Sequence, residues 1–176
     1  MKIFIFGTVA SGKTTLAKKL SAQLNIRWYE GDGIAWGYRG EERFKRSPEE
    51  QARRIQAIDA RGEWIIEGSW RESQKAVWEL ADRIIFLDTP LRLRRQRIWE
   101  RFLRQRSGKE PCSTRPTFSM LRMMFRWTEN FEKDRPEHEA RLLNYADKLI
   151  WLVSDDLATM HPDWLDMPAP VPVQTD

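Results

Sequence analysis

Cysteine is almost missing from this chain. Cys112 stands alone among 176 residues, so no internal disulfide can form and a reducing cytoplasm is the expected setting. No apolar run approaches the ~18 residues that a membrane-spanning helix requires. A cleavable leader is not expected, because Met1-Lys2 runs at once into the apolar segment 3–6, which reads as a structural strand. Internal repeats are lacking as well. What is present argues for an ordered protein. Hydrophobic residues make up 41% of the chain and nine are tryptophans, against disorder over most of the length, and 176 residues suit one domain with a sizeable core. The exception is the end, M-P-A-P-V-P-V-Q-T-D over residues 167–176, whose prolines predict a disordered tail behind a single domain of residues 1–166.

Acidic residues are scarce in one segment. Between Arg92 and Arg126 there are ten arginines and one lysine but only Glu100 and Glu110. The segment carries +9 in a chain of net +4, which leaves −5 for the rest. Such asymmetry marks where an anionic partner binds, and arginine suits forked contacts to phosphate.

Residues 7–15 read G-T-V-A-S-G-K-T-T, between the apolar run 3–6 and a helix-compatible run, 16–24. Strand, glycine loop and helix in that order fit the G-x-x-x-x-G-K-[ST] phosphate-binding pattern. Glycines at 7 and 12 allow successive backbone N–H groups to turn inward around an anion, and the helix N-terminus adds partial positive charge at the same point. The residues expected at a nucleoside triphosphate are Gly7, Ala10, Ser11, Gly12, Lys13, Thr14 and Thr15. Lys13 would reach the β- and γ-phosphates, and Thr14 would ligate Mg²⁺.

The remaining pattern alternates strand and helix. Strands are predicted at residues 3–6, 26–29, 64–67, 83–88 and 149–153, and helices at 12–24, 47–60, 73–81, 91–106, 118–131 and 136–145. Ser47-Pro48-Glu49-Glu50 has the form of a capping box with proline at the first helical position. The expectation is an α/β fold of three layers, a five-stranded parallel sheet covered by helices on both faces. Asp32 follows the second strand, at the sheet edge where ligands of such folds bind; it is a candidate substrate or metal contact, with a turn aspartate as the alternative. Trp36, Tyr38 and Arg39 then form an irregular stretch that would wall a substrate. In the helix 91–106, Arg94, Arg97, Arg101 and Arg104 fall at three- and four-residue steps and are expected to share one face. That face reads as a lid over phosphate, as a nucleic-acid contact or as plain surface. The methionines and aromatics of 118–131 read as packing.

These residues resemble the P-loop small-molecule kinases of the adenylate kinase type, and among them the bacterial adenylate-kinase-like topology modulation proteins. The features that carry the resemblance are the glycine loop, Asp32, W-I-I-E-G-S-W-R after the third strand, L-D-T-P before the arginine-rich helix, and R-W-T-E-N-F over residues 126–131. The likeness spans residues 1–153. It implies ATP and Mg²⁺, with Lys13 polarising the transferred phosphoryl group and Asp32 facing a small acceptor. Residues 67–71 lie where adenylate kinases carry D-G-F-P-R, which would bring Gly68 and Arg71 to the acceptor. Glu67 for Asp and Ser69-Trp70 for Phe-Pro depart from that pattern and speak against a standard nucleoside monophosphate. Trp36, Trp70 and Arg71 would form an aromatic wall beside a positive charge. Arg97 and Arg101 would clamp the triphosphate from a lid over residues 104–135, Arg135 would reach the acceptor from its far end, and Ser154 and Asp155 would lie near the adenine. The implied activity is an ATP-dependent phosphotransferase acting on a small acceptor, nucleotides included. An ATP-gated nucleic-acid-binding regulator is the alternative, and a plain ATPase the third.

Overall fold

The structure, a computed structural model, describes residues 1–110 and 116–153. Cys112, Ser154, Asp155 and the proline-rich tail lie outside these residues. In chain order the elements are β1 (Lys2–Phe6), α1 (Lys13–Leu24), β2 (Trp28–Glu30), α2 (Gly31–Ala35), β3 (Trp36–Arg39), β4 (Glu42–Lys45), α3 (Pro48–Asp59), β5 (Trp64–Gly68), α4 (Lys75–Leu80), β6 (Arg83–Leu87), α5 (Leu91–Arg106), α6 (Phe118–Lys133), α7 (Arg135–Leu143) and β7 (Leu149–Leu152).

Five strands form one parallel sheet in the order β2-β5-β1-β6-β7. Apolar side chains alternate between two covered faces, as strands buried on both sides require. Ile3 and Ile5 pack toward α1 with Leu16, Ala17, Leu20, Ile65 and Ile85. Phe4 and Phe6 point the other way, to a cluster with Ile55, Trp64, Trp78, Phe86 and Leu142. Trp78 lies 4.9 Å from both Phe4 and Phe6, ring to ring. A third, smaller cluster joins α5 to α6 through Ile98, Phe102 and Leu121, and Val9 and Ala10 of the glycine loop pack against it. The three-layer α/β expectation therefore holds, and the loops after β1, β5 and β6 leave the sheet at one edge. Among the described residues no helix is long and apolar enough to cross a membrane.

Local signals explain most boundaries. Ser47 Oγ accepts the Glu50 N–H, and the Glu50 carboxylate accepts the Ser47 N–H in return, the capping box read from the sequence. Thr117 caps α6 by accepting the Met120 N–H.

Two expectations are corrected. Residues 36–39 are not irregular: they are β3, paired antiparallel with β4, Trp36 opposite Lys45. The hairpin is held less by an apolar face than by arginines over rings, Arg43 at 4.3 Å from Trp36 and Arg39 at 5.6 Å from Phe44. Its signal was therefore charged where a strand signal is apolar. Arg94 does not share a surface face with Arg97, Arg101 and Arg104. It aligns with Ile98 and Phe102 at four-residue steps, on the core side of α5, and is 1% exposed. Its Nε donates to the Thr89 carbonyl at 2.8 Å, its Nη2 pairs with Glu132 on α6, and its Nη1 is buried without a partner.

This burial separates two neighbouring ion pairs. Arg94→Ala should cost about 3 kcal/mol, because it empties a buried side-chain volume and removes the bond to the Thr89 carbonyl together with the pair to Glu132. Arg95→Ala breaks the pair with Glu129 whose members are 48% and 49% exposed and should cost at most about 1 kcal/mol. Urea denaturation of the two variants checks the contrast.

Candidate functional site

The site begins where β1 must turn sharply into α1. A Cβ at Gly7 would stand 2.7 Å from Ser11 Oγ and 3.2 Å from the Leu87 carbonyl, so the turn closes only on glycine. Gly12, the residue before α1, has φ 101°, and Ala10 has φ 59°; both lie in the left-handed region that turns consecutive amides inward. The loop is pinned from outside. Thr89 Oγ1 donates to the Ser11 carbonyl at 2.8 Å, Ser69 Oγ reaches the Gly7 carbonyl at 3.5 Å, and Arg97 Nη1 lies 3.4 and 3.3 Å from the carbonyls of Ala10 and Ser11. The Ser11 hydroxyl is buried with no hydrogen-bond partner. A buried orphan donor in a glycine loop at a helix N-terminus fits a bound phosphate.

Lys13 is folded back onto this loop, its Nζ donating to the Thr8 carbonyl at 2.7 Å. Burial pushes its ammonium below the ordinary lysine range, with Glu67 and then Asp32 acting in the opposite direction. Thr14 Oγ1 donates to Glu67 Oε1 at 3.0 Å. Glu67 ends the run of β5 at 8% exposure; burial pushes its carboxyl up, while Lys13 and the Thr14 hydrogen bond pull it down. One hydroxyl and one carboxylate so placed suit Mg²⁺, which keeps several waters and takes its other ligands from phosphate. Among the described residues no cluster of three or more acidic, histidine or cysteine side chains could hold a metal by itself.

The second half of the edge belongs to Asp32 and Arg71. Asp32 lies in the first turn of α2 and its Oδ1 is 2.5 Å from Arg71 Nη2. Arg71 Nη1 is buried and unpartnered. Both groups act electrostatically on Lys13, so the acid, the arginine and the loop lysine share one region, as the sequence pattern implied. Gly68 closes β5 opposite Phe6, beside them.

Other candidates are placed elsewhere. Trp36 sits on the hairpin under Arg43. Arg135 is committed to Asp88, at 2.7 Å through Nη2 and 3.1 Å through Nη1, with Glu132 and Glu139 at 3.3 Å; the Asp88 bonds push its guanidinium further up. It ties α7 to the end of β6 instead of reaching toward an acceptor. Arg101 and Arg104 share Glu110 at 3.2 and 2.9 Å. Thr15 opens α1 behind Thr14. Sequence reasoning gave Glu67 no role of its own, although an acid ending the buried run W-I-I-E was the signal. Thr89 lies inside L-D-T-P, where a threonine among turn residues carries no distinguishing mark.

A family model described as AAA domain matches residues 3–110. No curated protein matches the sequence. Similar solved structures include an uncharacterized protein from Eubacterium ventriosum (TM-score 0.53, 19% identity, 94% of this chain and 98% of that one). A gluconokinase from Sinorhizobium meliloti aligns at TM-score 0.50 and 16% identity, over 94% and 87% of the two chains. A shikimate kinase from Bacteroides thetaiotaomicron aligns at TM-score 0.50 and 16% identity, over 77% and 80%. At these identities the likeness is one of fold.

The raised Glu67 carboxyl has a thermodynamic sign. A folded-state pKa above the unfolded value of about 4.3 means that folding takes up a proton, so this group's contribution to stability falls as pH rises through and above that value. Glu67→Gln should flatten that fall in the nucleotide-free protein. Denaturation midpoints across the acid-to-neutral range measure it, and identical slopes in the two proteins would refute the assignment.

Proposed function

Because the chain belongs to the AAA_18 family of AAA domains, we propose that it is a cytoplasmic ATP-dependent phosphotransferase that moves the γ-phosphoryl group of Mg-ATP to a hydroxyl of a small acceptor. The observation that carries this reading is the Asp32–Arg71 pair lying within electrostatic reach of the loop lysine. A phosphate cradle alone would serve any nucleotide-binding protein; an acid and a half-buried arginine beside it make an acceptor half. Among adenylate-kinase-like proteins we group the chain with those known as topology modulation proteins, on its motifs.

In this reading the amides of residues 10–15 and Lys13 hold the β- and γ-phosphates. Thr14 would ligate Mg²⁺, which when bound would supply neutralisation of charge on the moving group, and Glu67 orients the Thr14 hydroxyl through their hydrogen bond. The acceptor oxygen bonds to the γ-phosphorus as the bond from that phosphorus to the β-phosphate oxygen breaks, its electrons leaving with ADP. The acceptor's hydroxyl proton passes to the Asp32 carboxylate, which Arg71 orients. Arg97 and Arg101 stabilise the charge spread over the transferred group, a contribution worth several kcal/mol in such sites, with Arg101 exchanging Glu110 for phosphate.

The nucleic-acid reading has less support. Of the seven arginines on α5, Arg94 is buried, Arg95 is paired with Glu129, and Arg101 and Arg104 share Glu110, so four of the seven are engaged within the chain.

Incubation with Mg-ATP and a broad panel of metabolites, followed by ADP release, tests the proposal. An acceptor should raise ADP release above background, and Asp32→Asn should lower that acceptor-dependent rate by about 10²–10⁴-fold while ATP affinity stays unchanged. A panel without any stimulating acceptor, in a protein that binds ATP normally, would contradict it.

A further inference from the structure

We propose that Glu110 is a specificity residue of the phosphate site: its carboxylate holds Arg101 until a γ-phosphate takes its place, so the arginine engages a nucleoside triphosphate and not a diphosphate. The inference rests on the phosphotransferase reading above and adds how the nucleotide site tells substrate from product.

Local structure puts the acid there. α5 ends at Arg106, and Gly108 turns the chain back with φ 72°, a left-handed angle that favours glycine. The Gly108 N–H donates to the Gln105 carbonyl at 3.2 Å, and the N–H groups of Lys109 and Glu110 both donate to the Arg104 carbonyl, at 2.9 and 3.3 Å. Glu110 is thereby returned onto the end of its own helix. Its Oε1 accepts Arg101 Nε at 3.2 Å, and its Oε2 accepts Arg104 Nε at 2.9 Å. The Arg104 hydrogen bond, with the Arg101 charge adding to it, holds the carboxyl below the ordinary glutamate range, so the group is an anion at neutral pH.

The three cations assigned to the triphosphate are held in different ways. Lys13 donates to the Thr8 carbonyl, and Arg97 to the carbonyls of Ala10 and Ser11. Both partners are neutral. Arg101 acts electrostatically on Lys13, which places its charge beside the cradle, yet it alone of the three is bonded to a carboxylate. Arg104, the second cation on Glu110, also lies 3.8 Å from Glu100, so displacing Glu110 frees Arg101 more than Arg104.

Arg101 is therefore the object of a competition between anions. Glu110 offers one negative charge and is tethered by its own backbone. The terminal phosphate of a triphosphate carries about two negative charges at neutral pH and presents the forked acceptors that a guanidinium matches. It wins the exchange. A diphosphate in the same loop ends at the β-phosphate, which Lys13 and the loop hold, and leaves the position of the transferred group empty. Arg101 then stays with Glu110. The pair is half in water, with side chains 52% and 27% exposed, and ion pairs so exposed are weak, which suits a contact made to be exchanged.

Calorimetric titration of the full chain with Mg²⁺ and either a non-hydrolysable ATP analogue or ADP tests this. Glu110→Gln should bind the analogue about three- to tenfold more tightly than wild type, while its ADP affinity changes by less than about twofold. Glu129→Gln removes the same charge from the Arg95 pair and should bind both nucleotides as wild type does. In an Arg101→Ala background, Glu110→Gln should bring no gain. Unchanged or weaker analogue binding in Glu110→Gln, an equal gain for ADP, the same gain in Glu129→Gln, or a gain that survives Arg101→Ala would each overturn the proposal. A wild-type chain that bound neither nucleotide would overturn the phosphate-site reading itself, so the two failures are distinguishable.

Discussion

A side chain at position 7 would strike Ser11 and the end of β6, at 2.7 and 3.2 Å, and that steric limit organises the whole ligand edge. With glycine there, β1 turns tightly enough for a short loop to lead straight into α1, whose N-terminus follows at Lys13. The turn is strained, with Ala10 in the left-handed region, and such strain persists only where the surroundings over-determine it. Here they do. Thr89 holds Ser11 from β6, Ser69 approaches Gly7 from β5, and Val9 and Ala10 are packed under α5 and α6. Each of the two strands beside β1 thus grips the loop that β1 feeds.

The same packing links the loop to the arginine-rich helices. Arg94 joins the Thr89 carbonyl to Glu132, Glu132 also meets Arg135, and Arg135 grips Asp88 at the end of β6. Buried or half-buried arginines here fix where α6 and α7 stand relative to the sheet, and α6 in turn supplies one wall of a cleft beside Thr8. Charge that the sequence concentrates in one segment is thus divided between scaffold and site. Arg94 and Arg135 act as scaffold, while Arg97 reaches the loop carbonyls.

The sequence disclosed the sheet and the phosphate cradle because their signals are local: a continuous apolar run, two glycines, a lysine and a hydroxyl at fixed offsets. Asp32 and Arg71 were legible as candidates, though the ion pair between them depends on how α2 and the turn after β5 meet, 39 residues apart in the chain. What stayed hidden was non-local or carried a mixed pattern. The β3–β4 hairpin mixes aromatic and charged residues over two strands of four, Arg94 looks like its surface neighbours until the helix is docked, and the stripe Trp127–Asp134 reads as ordinary packing until Thr8 and Ser69 are brought opposite it. Glu67 was visible as an acid ending an apolar strand, but its partner Thr14 is 53 positions away.

In the proposed reading residues 7–15 hold a nucleoside triphosphate with Lys13 in direct contact. Calorimetric titration of a non-hydrolysable ATP analogue with Mg²⁺ into the wild-type chain and Lys13→Ala tests it most directly. One molecule should bind per wild-type chain and binding should be lost in the variant; equal affinity in the two proteins would contradict direct contact by Lys13.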